Sequence, residues 1–305
     1  MEIIHKTESN EVDKLLPLKN YINSMLEKPN NSDIYHYTTI EALYNGILRK
    51  EAKVDEEICL RSTSALYLND PEEIKIGLSF IEKLLYGNSG RKILDKQSDV
   101  MDACSEYFIT SFSQDGDSLP MWSMYAANAT GIALCFDKKI INNDSWFKCI
   151  YYNDKIQREV EEILAGLCDY DLDIADDKYG LLILFLFLLL IVIAYDKNTR
   201  DSFWQYIEPI VKFTFSLKNP AYSYEEEVRL LYTSSDEDKD KIKHRFKNNL
   251  IVPYIEQYFP KKALKEIIVG PNNDMERTIY SLEKYLKHIG FEHVKVTPSK
   301  VPYRS

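Results

Sequence analysis

Glycine is scarce in this sequence, and the loops that glycine usually builds are missing from it. The chain of 305 residues contains 10 glycines, which is about half of the usual share. Neither a GxxxxGK[ST] motif nor a GxGxxG motif occurs. Both motifs use glycine to bring the backbone close to phosphate groups, so the sequence gives no support to a P-loop or a Rossmann-type nucleotide site.

Positive charge is also in the minority. The chain carries 38 lysines and arginines against 48 aspartates and glutamates, a net charge of −10. A surface of this sign repels the phosphate backbone of nucleic acids. We therefore expect no broad nucleic-acid binding, although one local basic patch remains compatible with the composition.

The cysteines and histidines form no pattern typical of disulfides or metal sites. The 5 cysteines are an odd number without a CxxC pair, and none of the 5 histidines pairs with them at zinc-finger spacing. The N-terminus lacks the basic and then apolar pattern of a secretory signal. We expect buried, reduced thiols in a cytoplasmic protein, and no metal site.

One long apolar run, residues 181–194, contains no charged residue. As a helix it would extend about 21 Å, which is less than the roughly 30 Å hydrocarbon core of a bilayer. We predict a buried central helix around 180–195, and we do not expect membrane binding. An oligomer interface and a membrane contact remain the alternatives for this segment.

The rest of the chain alternates between helical and strand patterns. A helical lead is predicted at 1–32, followed by a single α+β domain at 33–300 with a helical insertion at about 154–215. Thr39 is placed to cap a helix from Ile40 to Leu48. The charged segment 234–248 is expected to be solvated. Strands are predicted at 34–37, 58–61, 108–113, 131–136, 222–232, 267–269 and 293–297, and helices at 11–28, 72–85, 121–127 and 275–288.

Four polar clusters interrupt otherwise apolar segments, which is where functional side chains are expected. These clusters are His36-Tyr37-Thr38, Arg61-Ser62 with Asn69-Asp70-Pro71-Glu72-Glu73, Ser111-Phe112-Ser113 with Trp122 and Tyr125, and Tyr224-Glu225-Glu226-Glu227-Val228-Arg229. Each cluster has an ordinary structural interpretation as well. His36 could be a hydrogen-bonded structural histidine, and Trp122 and Tyr125 could be packed in the core.

The last cluster concentrates charge on one predicted strand. Alternation along that strand would place Glu225, Glu227 and Arg229 on the same face. Two carboxylates beside an arginine suit the recognition of hydroxyl groups or the stabilisation of a developing cation. They suit equally an exposed edge strand whose charges pair with a neighbouring strand.

In this order the clusters resemble the bacterial family known as domain of unknown function 2971. The resemblance covers about 33–137 and 220–271. It rests on Tyr35-His36-Tyr37-Thr38, Leu60-Arg61-Ser62, Asn69-Asp70-Pro71, Phe108-Ile109-Thr110-Ser111-Phe112-Ser113, Met121-Trp122 with Tyr125, Tyr224-Glu225 with Glu227 and Arg229, and Ile267-Ile268-Val269-Gly270-Pro271.

The His-Tyr-Thr strand and the late glutamate also resemble the more distant ADP-ribosyltransferase superfamily. That resemblance implies a mostly antiparallel split sheet surrounded by helices, with NAD bound as substrate. It implies that His36 hydrogen-bonds the nicotinamide-side ribose or the amide, with Tyr37, Thr38 and Trp122 nearby, and that Tyr125 or Tyr37 stacks on the nicotinamide ring. Glu227 or Glu225 would hold the ribose and stabilise its positive charge, and Arg61 or Arg229 would bind the pyrophosphate.

Three functional hypotheses follow. The first is an NAD-binding ADP-ribosyltransferase or NAD glycohydrolase, acting as a toxin or a phage-defence effector on a small dinucleotide. The second is a non-catalytic nucleotide-sensing or interaction module of a defence system, working with a partner protein or a second copy of the chain. The third is a metal-dependent phosphodiesterase that uses Asp70, Glu73, Glu225 and Glu227.

Overall fold

A computed structural model describes most, but not all, of the chain. The described residues are 20, 22–24, 26, 33–48, 58–69, 75, 77, 104–141, 145–153, 155, 158, 208–209, 211–247, 249–272 and 274–303. The predicted central helix around 180–195 lies outside the described residues, and so do Asp70 and Glu73. Nearly all of the predicted helical lead, of the insertion at 154–215 and of the helix at 72–85 lies outside them as well. Those features remain predictions from the sequence.

The chain divides into two compact units. The first unit comprises Met1–Glu27, Asp70–Met101 and Cys149–Pro220, and the second comprises Lys28–Asn69, Asp102–Lys148 and Ala221–Ser305. In the described part of the first unit, a short parallel pair joins Ile150–Tyr151 to Leu217–Lys218. All four polar clusters of the sequence reach into the second unit, so the following paragraphs concern that unit.

The strands of the chain are numbered in sequence order. They are β1 (Asp33–Thr38), β2 (Ile58–Ser64), β3 (Tyr107–Ser113), β4 (Ile132–Asp137), β5 (Trp146–Lys148), β6 (Ile150–Tyr151), β7 (Leu217–Lys218), β8 (Glu227–Thr233), β9 (Lys243–Lys247), β10 (Leu250–Phe259), β11 (Leu264–Val269) and β12 (Lys295–Pro298). The α-helices whose full extent is described are α1 (Ile40–Ala42), α2 (Leu119–Tyr125) and α3 (Met275–His288), and residues 211–216 are also helical. Short 3₁₀ turns occupy Ala65–Tyr67, Pro220–Glu225, Asp236–Lys241 and Lys261–Ala263.

One ten-stranded sheet forms the framework of the second unit. Its main path has the order β12-β11-β4-β1-β3-β2-β10-β9, with β8 paired to β3 and β5 paired to β8. Strands β11 and β12 are parallel, whereas the other pairs are antiparallel. The predicted α+β class with a mostly antiparallel sheet is therefore confirmed.

Strand β3 has a different arrangement on each of its two edges. Ser113 pairs with Glu227 of β8 on one edge and with Tyr35 of β1 on the other. Strand β8 follows the first edge along the whole of β3. At the far end of β3, Phe108 pairs with Ser64 of β2. Because β8 fills the first edge, β1 and β2 must share the second edge and diverge from it.

Between those two contacts lies an opening in the ladder, which we call the β1–β2 gap. It spans Thr110–Phe112 of β3, where no described strand pairs with the second edge. Side chains bridge the opening instead. The hydroxyl groups of Ser62 and Thr110 are 2.6 Å apart, and His36 reaches the backbone of Ser111. The gap therefore places polar groups from two strands close together.

Apolar side chains cover both faces of the sheet. On one face Ile34, Phe112 and Leu134 belong to a core cluster that also contains Leu282 and Leu286 of α3. The opposite face carries a second cluster, formed by Tyr37, Met121, Trp122, Ala126, Ala129 and Ala133. The two-residue period of the strands explains this division, since Ile34 and Tyr37 project from β1 in opposite directions.

Helix ends follow the predicted capping chemistry. Thr39 accepts a hydrogen bond from the Ala42 amide at 3.0 Å, as an N-terminal cap should. Helix α3 has the predicted bounds; Asp274 caps its first turn, and Lys287 and His288 lie in its last turn. The positive charge of Lys287 at that end complements the partial negative charge of the helix C-terminus.

The predicted helix from Ile40 to Leu48 needs a correction. Only Ile40–Ala42 is α-helical, and Leu43–Ile47 forms a wider π-helical turn. The Leu48 amide donates to the Leu43 carbonyl, five residues back. The wider turn buries the side chains of Leu43, Ile47 and Leu48 together, and this apolar packing stabilises the unusual geometry.

The predicted strand at 222–232 is also corrected. Pro220–Glu225 is a 3₁₀ turn, and β8 begins only at Glu227. Between them Glu226 has a φ of 41°, a left-handed conformation that interrupts any extended segment. Glu225 is therefore not on the strand, whereas Glu227 and Arg229 do share one face of β8, as predicted.

The segment after β8 holds more structure than the sequence predicted. The charged stretch 234–248 is solvated as expected, since most of its described side chains are exposed or half-buried, but it also contains a 3₁₀ turn and strand β9. Strand β10, which pairs with β2 and β9, was not predicted at all. Pro253 lies within β10 and cannot donate to a ladder, which is why the segment did not resemble a central strand.

In the described part of the chain, no helix combines the length and the apolar character that crossing a bilayer requires. The apolar run 181–194 is not among the residues to which this finding applies.

Candidate functional site

His36 lies at the β1–β2 gap. Its Nδ1 atom is 3.0 Å from the carbonyl oxygen of Ser111, and its ring packs edge-on against Phe112 at 5.7 Å. A carbonyl oxygen can only accept, so Nδ1 carries the hydrogen and Nε2 is the acceptor of the ring. The imidazole thus satisfies a carbonyl that the open ladder leaves without a strand partner.

The protonation state of His36 follows from its surroundings. Burial lowers its pKa below the ordinary value of 6.5, and the positive charge of Arg245 lowers the pKa further. The hydrogen bond with the Ser111 carbonyl acts in the opposite direction. We conclude that the ring is neutral at pH 7.

Tyr37 and Trp122 have structural roles. The Tyr37 hydroxyl donates to the Asp115 carbonyl and accepts from the Ser118 amide, both at 3.0 Å. Trp122 is fully buried, packs edge-on against Tyr37 at 4.9 Å, and donates its Nε1 hydrogen to Asp117 at 2.8 Å. These contacts fix the loop between β3 and α2 and leave neither ring open for stacking on a ligand.

Glu227 and Arg229 form a buried ion pair. Arg229 donates from Nε and Nη2 to the two carboxylate oxygens of Glu227, each at 2.9 Å. The Glu227 side chain is 5% exposed and the Arg229 side chain is 1% exposed. Each group neutralises the other through two parallel hydrogen bonds, which is the strongest geometry available to these side chains.

Glu225 belongs to a different contact. The Tyr125 hydroxyl donates to Oε1 of Glu225 at 2.6 Å. Tyr125 lies on α2, whereas Glu225 ends the 3₁₀ turn before β8. The left-handed backbone at Glu226 separates this carboxylate from the Glu227 pair. The structure therefore gives the two predicted glutamates different partners.

The strand register separates His36 from Glu227. Tyr35, Ser113 and Glu227 are successive cross-strand partners and therefore project from one face. His36 follows Tyr35 and projects from the other face, where it contacts Phe112. His36 and Glu227 lie on strands that flank β3, and their side chains are on opposite sides of the sheet. Thr38 lies at the end of β1, opposite Ile132.

Polar side chains nevertheless line one face of the sheet across the β1–β2 gap. We call this set the polar row; it consists of Arg61, Thr63, Ser111, Glu227 and Arg229. Thr63 pairs with Ile109, and alternation along β2 and β3 adds Arg61 and Ser111 to the same face. Ser111 pairs with Arg229, which extends the row onto β8. Ser111 is only half-buried, in contrast to the other residues of β3.

Arg61 occupies the open end of the polar row. Its side chain is exposed, and its guanidinium carbon is 5.0 Å from the centre of the Tyr254 ring. A second arginine, Arg245 of β9, lies 5.8 Å from the same ring. Sequence reasoning missed Arg245 and Tyr254. Their signal was the alternation of Lys243, Arg245 and Lys247 in an otherwise acidic chain.

Other predicted site types find no support in the described residues. Within the described ranges no group of three or more histidine, cysteine, aspartate or glutamate residues could hold a metal ion, and Asp70 and Glu73 lie outside those ranges. The four described cysteines are buried, and no disulfide joins them. Burial raises the pKa of Cys104 to about 11 and that of Cys135 to about 12.

Comparison with known proteins gives one match. A family model described as "Protein of unknown function (DUF2971)" matches residues 121–230, a range that includes Trp122, Tyr125, Glu225, Glu227 and Arg229. Neither a curated protein nor a solved structure matches the chain. The match over residues 121–230 supports the resemblance to the DUF2971 family, whose description names no activity.

Proposed function

We propose that the second unit binds NAD along the polar row and cleaves the bond between nicotinamide and ribose. The observation that supports the proposal is the distribution of charge across the β1–β2 gap. The open end of the row carries Arg61, and the other end carries Glu227 and Arg229 beside the Tyr125–Glu225 contact. NAD has a matching polarity, with an anionic pyrophosphate at its centre and a ribose that becomes cationic during cleavage.

Arg61 is the better candidate of the two predicted pyrophosphate ligands. Both Nε and Nη2 of Arg229 already bind Glu227 in a buried pair. Arg61 is exposed, and none of the ion pairs in the described part of the chain involves it. A guanidinium presents several donors in one plane, which suits the oxygens of a pyrophosphate.

Glu225 is the better candidate for the carboxylate that acts on the ribose. Glu227 is neutralised by Arg229, so its charge contributes little to a developing cation. The Tyr125 hydroxyl orients Glu225 from a different element. Glu225 is itself buried, at 4% exposure. The left-handed conformation of Glu226 directly follows the turn that Glu225 ends, and such backbone outliers are common at functional sites.

In the proposed cleavage of NAD, every bond, electron pair and proton is accounted for by NAD, the acceptor and these residues. The bond between ribose C1′ and the pyridinium nitrogen breaks, and its electron pair leaves with neutral nicotinamide. The ribose becomes an oxocarbenium ion, which the negative charge of Glu225 stabilises. A lone pair of water or of an acceptor then forms the new bond to C1′, and the acceptor releases a proton. His36 serves as a positioning residue, since it holds Ser111 from the opposite face.

Release of nicotinamide from NAD tests the proposal. The wild type, Glu225→Gln and Glu276→Gln are incubated with NAD, and nicotinamide is quantified by chromatography. Glu276 is an exposed glutamate of α3 and serves as the matched control. We expect Glu225→Gln to lower the rate by about 100-fold or more, with the control unchanged. A Glu225→Gln protein as active as the wild type would contradict the assignment of this carboxylate.

A non-catalytic nucleotide sensor is the second candidate. The observation that favours it is the Glu227–Arg229 pair, which removes one of the two predicted carboxylates from any reaction. The two functions differ in one readout. A sensor binds ADP-ribose and NAD without releasing nicotinamide, whereas the transferase or glycohydrolase releases it. A role in toxicity or phage defence stays a prediction from the sequence.

A further inference from the structure

Two arginines from different strands share one aromatic ring. Tyr254 of β10 lies between β2 and β9 in the sheet, and it pairs with Thr63 on one side and with Lys243 on the other. The guanidinium carbons of Arg61 and Arg245 lie 5.0 Å and 5.8 Å from its ring centre. Cation–π attraction holds each group to the ring, although the two positive charges repel each other.

Arg245 is the least satisfied side chain in this region. One of its terminal nitrogens, Nη2, donates to the Thr63 hydroxyl at 2.8 Å. Its Nε atom is buried and has no hydrogen-bond partner. Every other buried side-chain nitrogen or oxygen among the described residues has such a partner. Leaving a buried donor unpaired is unfavourable, and more so when the group is charged. Such a donor indicates a place for an acceptor from outside the chain.

The surrounding charges do not supply that acceptor. Glu256 is the cross-strand partner of Arg61, but its Oε2 atom binds Lys243 and Tyr258, each at 2.7 Å. Burial lowers the pKa of Arg245, and the positive charge of Arg61 lowers it further. Burial also lowers the pKa of Lys247, and the positive charge of Arg245 lowers it further.

Lys247 adds a third positive charge beside the two arginines. Its ammonium group is 3.3 Å from the side-chain oxygen of Asn69, which is an uncharged acceptor. No ion pair with Arg61, Arg245 or Lys247 is found in the part of the chain that the structure describes. A concentration of unneutralised cations attracts anions, even in a protein whose net charge is negative.

We propose that Arg61 and Arg245, with Thr63 and Lys247 beside them, form a binding site for the pyrophosphate of a nucleotide. The oxygens of the bound group would accept hydrogen bonds from the guanidinium groups, including Nε of Arg245, and would offset the repulsion between the two arginines. This inference deepens the proposed function, and it rests on that function for the choice of ADP-ribose as ligand. It does not require that any bond be cleaved.

The same phosphate chemistry could come from a nucleic-acid strand. Strand β9 is rich in basic residues, and Phe246 on its other face is 75% exposed, a combination that single-stranded nucleic acids also recognise. The buried Nε of Arg245 favours a compact site that encloses one diphosphate. The test must therefore include an oligonucleotide as well as a mononucleotide.

Calorimetric titration separates these possibilities. The wild type, Arg61→Gln and Arg245→Gln are titrated with ADP-ribose, ADP, adenosine and a single-stranded oligonucleotide without terminal phosphates. Lys287→Gln is the matched control, because it removes the same charge from an exposed lysine of α3, outside the proposed site. We expect both arginine variants to weaken ADP-ribose binding at least about 10-fold, the control to bind as the wild type does, and adenosine to bind much more weakly than ADP.

Three outcomes would overturn the site. The first is that the wild type and both arginine variants bind ADP-ribose with equal affinity. The second is that adenosine binds as tightly as ADP. The third is that the oligonucleotide without terminal phosphates binds more tightly than ADP-ribose. Arg61 is exposed, so its variant keeps the test valid if Arg245→Gln does not fold. The nicotinamide assay is independent of this result. Arginine-dependent ADP-ribose binding without nicotinamide release upholds the site and rejects the cleavage activity.

Discussion

The described ion pairs of this protein differ widely in how far they are buried. Glu227 and Arg229 are almost fully buried, whereas Lys265 and Asp33 are 43% and 35% exposed at a distance of 2.6 Å. A buried charge that loses its partner remains in a poorly solvated place, but an exposed one is hydrated by water. The same type of contact should therefore have very different effects on stability.

We predict that Arg229→Met lowers the free energy of unfolding by about 3–5 kcal/mol, because it leaves Glu227 buried without its counter-charge. The matched change Lys265→Met should lower it by about 1 kcal/mol or less. Urea unfolding monitored by circular dichroism measures both. Equal losses in the two variants would show that the Glu227–Arg229 pair is not buried as described.

His36 should make stability depend on pH. Its pKa in the folded protein is lowered from the ordinary value of 6.5 by burial. The unfolded chain therefore takes up a proton first as the pH falls. The stability contributed by the neutral ring is fully present above pH 6.5 and is lost progressively below it, down to the lowered pKa of the folded state.

The measurement is the melting temperature at pH 7.5 and at pH 5.5. The variant His36→Asn keeps a side-chain donor for the Ser111 carbonyl but cannot titrate, so its decrease between the two pH values should be smaller than that of the wild type. His288→Asn, at an exposed position of α3, serves as control and should follow the wild type. The account of His36 is wrong if His36→Asn loses as much stability on acidification as the wild type.

The candidate site could be predicted from the sequence only where the residues are neighbours in the chain. Alternation along one strand was enough to place Glu227 and Arg229 on the same face. It could not indicate that the two side chains bind each other, which depends on their burial under the rest of the unit. Arg245 and Tyr254 were missed because their contact with Arg61 depends on the pairing of β10 with β2, which is about 190 residues earlier in the chain.

At the scale of elements, the connection between α2 and β4 is built on an unusual backbone. Three consecutive residues, Ala127–Ala129, have positive φ angles between 49° and 67°. Gly131 follows; its amide donates to Ala126 at 2.8 Å and its carbonyl accepts from Gly270 at 2.9 Å. The loop thus joins the end of α2 to strands β4 and β11.

Gly131→Ala should destabilise the protein. A methyl group at this position would overlap the Thr38 carbonyl and contact the Ala126 backbone, and such overpacking costs about 1–3 kcal/mol. Gly46→Ala is the matched control, because the nearest atom to its added methyl group is a side-chain nitrogen of Arg61 at 3.7 Å, an ordinary contact distance. Thermal unfolding of both variants tests this, and a Gly131→Ala protein as stable as Gly46→Ala would contradict it.

The elements that the sequence predicted well are those with local signals. Helix α3 combines an apolar stripe with Asp274 at its start, and strands β1, β3 and β4 are short segments rich in aromatic and β-branched residues. The elements that it missed depend on tertiary contacts. Strand β9 is a charged edge strand and β10 contains Pro253, so neither resembles a strand until the two pair with each other and with β2.

At the scale of the whole molecule, the net charge of −10 conceals an uneven distribution. Arg61, Arg245 and Lys247 cluster around Tyr254, and the polar row leads from them across the β1–β2 gap towards β8. The scarcity of glycine fits this arrangement, because the proposed phosphate contacts come from side chains on strands and not from loop backbone. The central claim is that a nucleotide binds at this place.

Hydrogen exchange measured by mass spectrometry, with and without ADP-ribose, tests that claim most directly. Binding at the proposed site should slow the exchange of backbone amides in β2 and β9, which carry Arg61 and Arg245, while β12 and α3 exchange at unchanged rates. Arg61→Gln should abolish the difference. Exchange that ADP-ribose leaves unchanged in β2 and β9, or slows only in β12 and α3, would contradict the account.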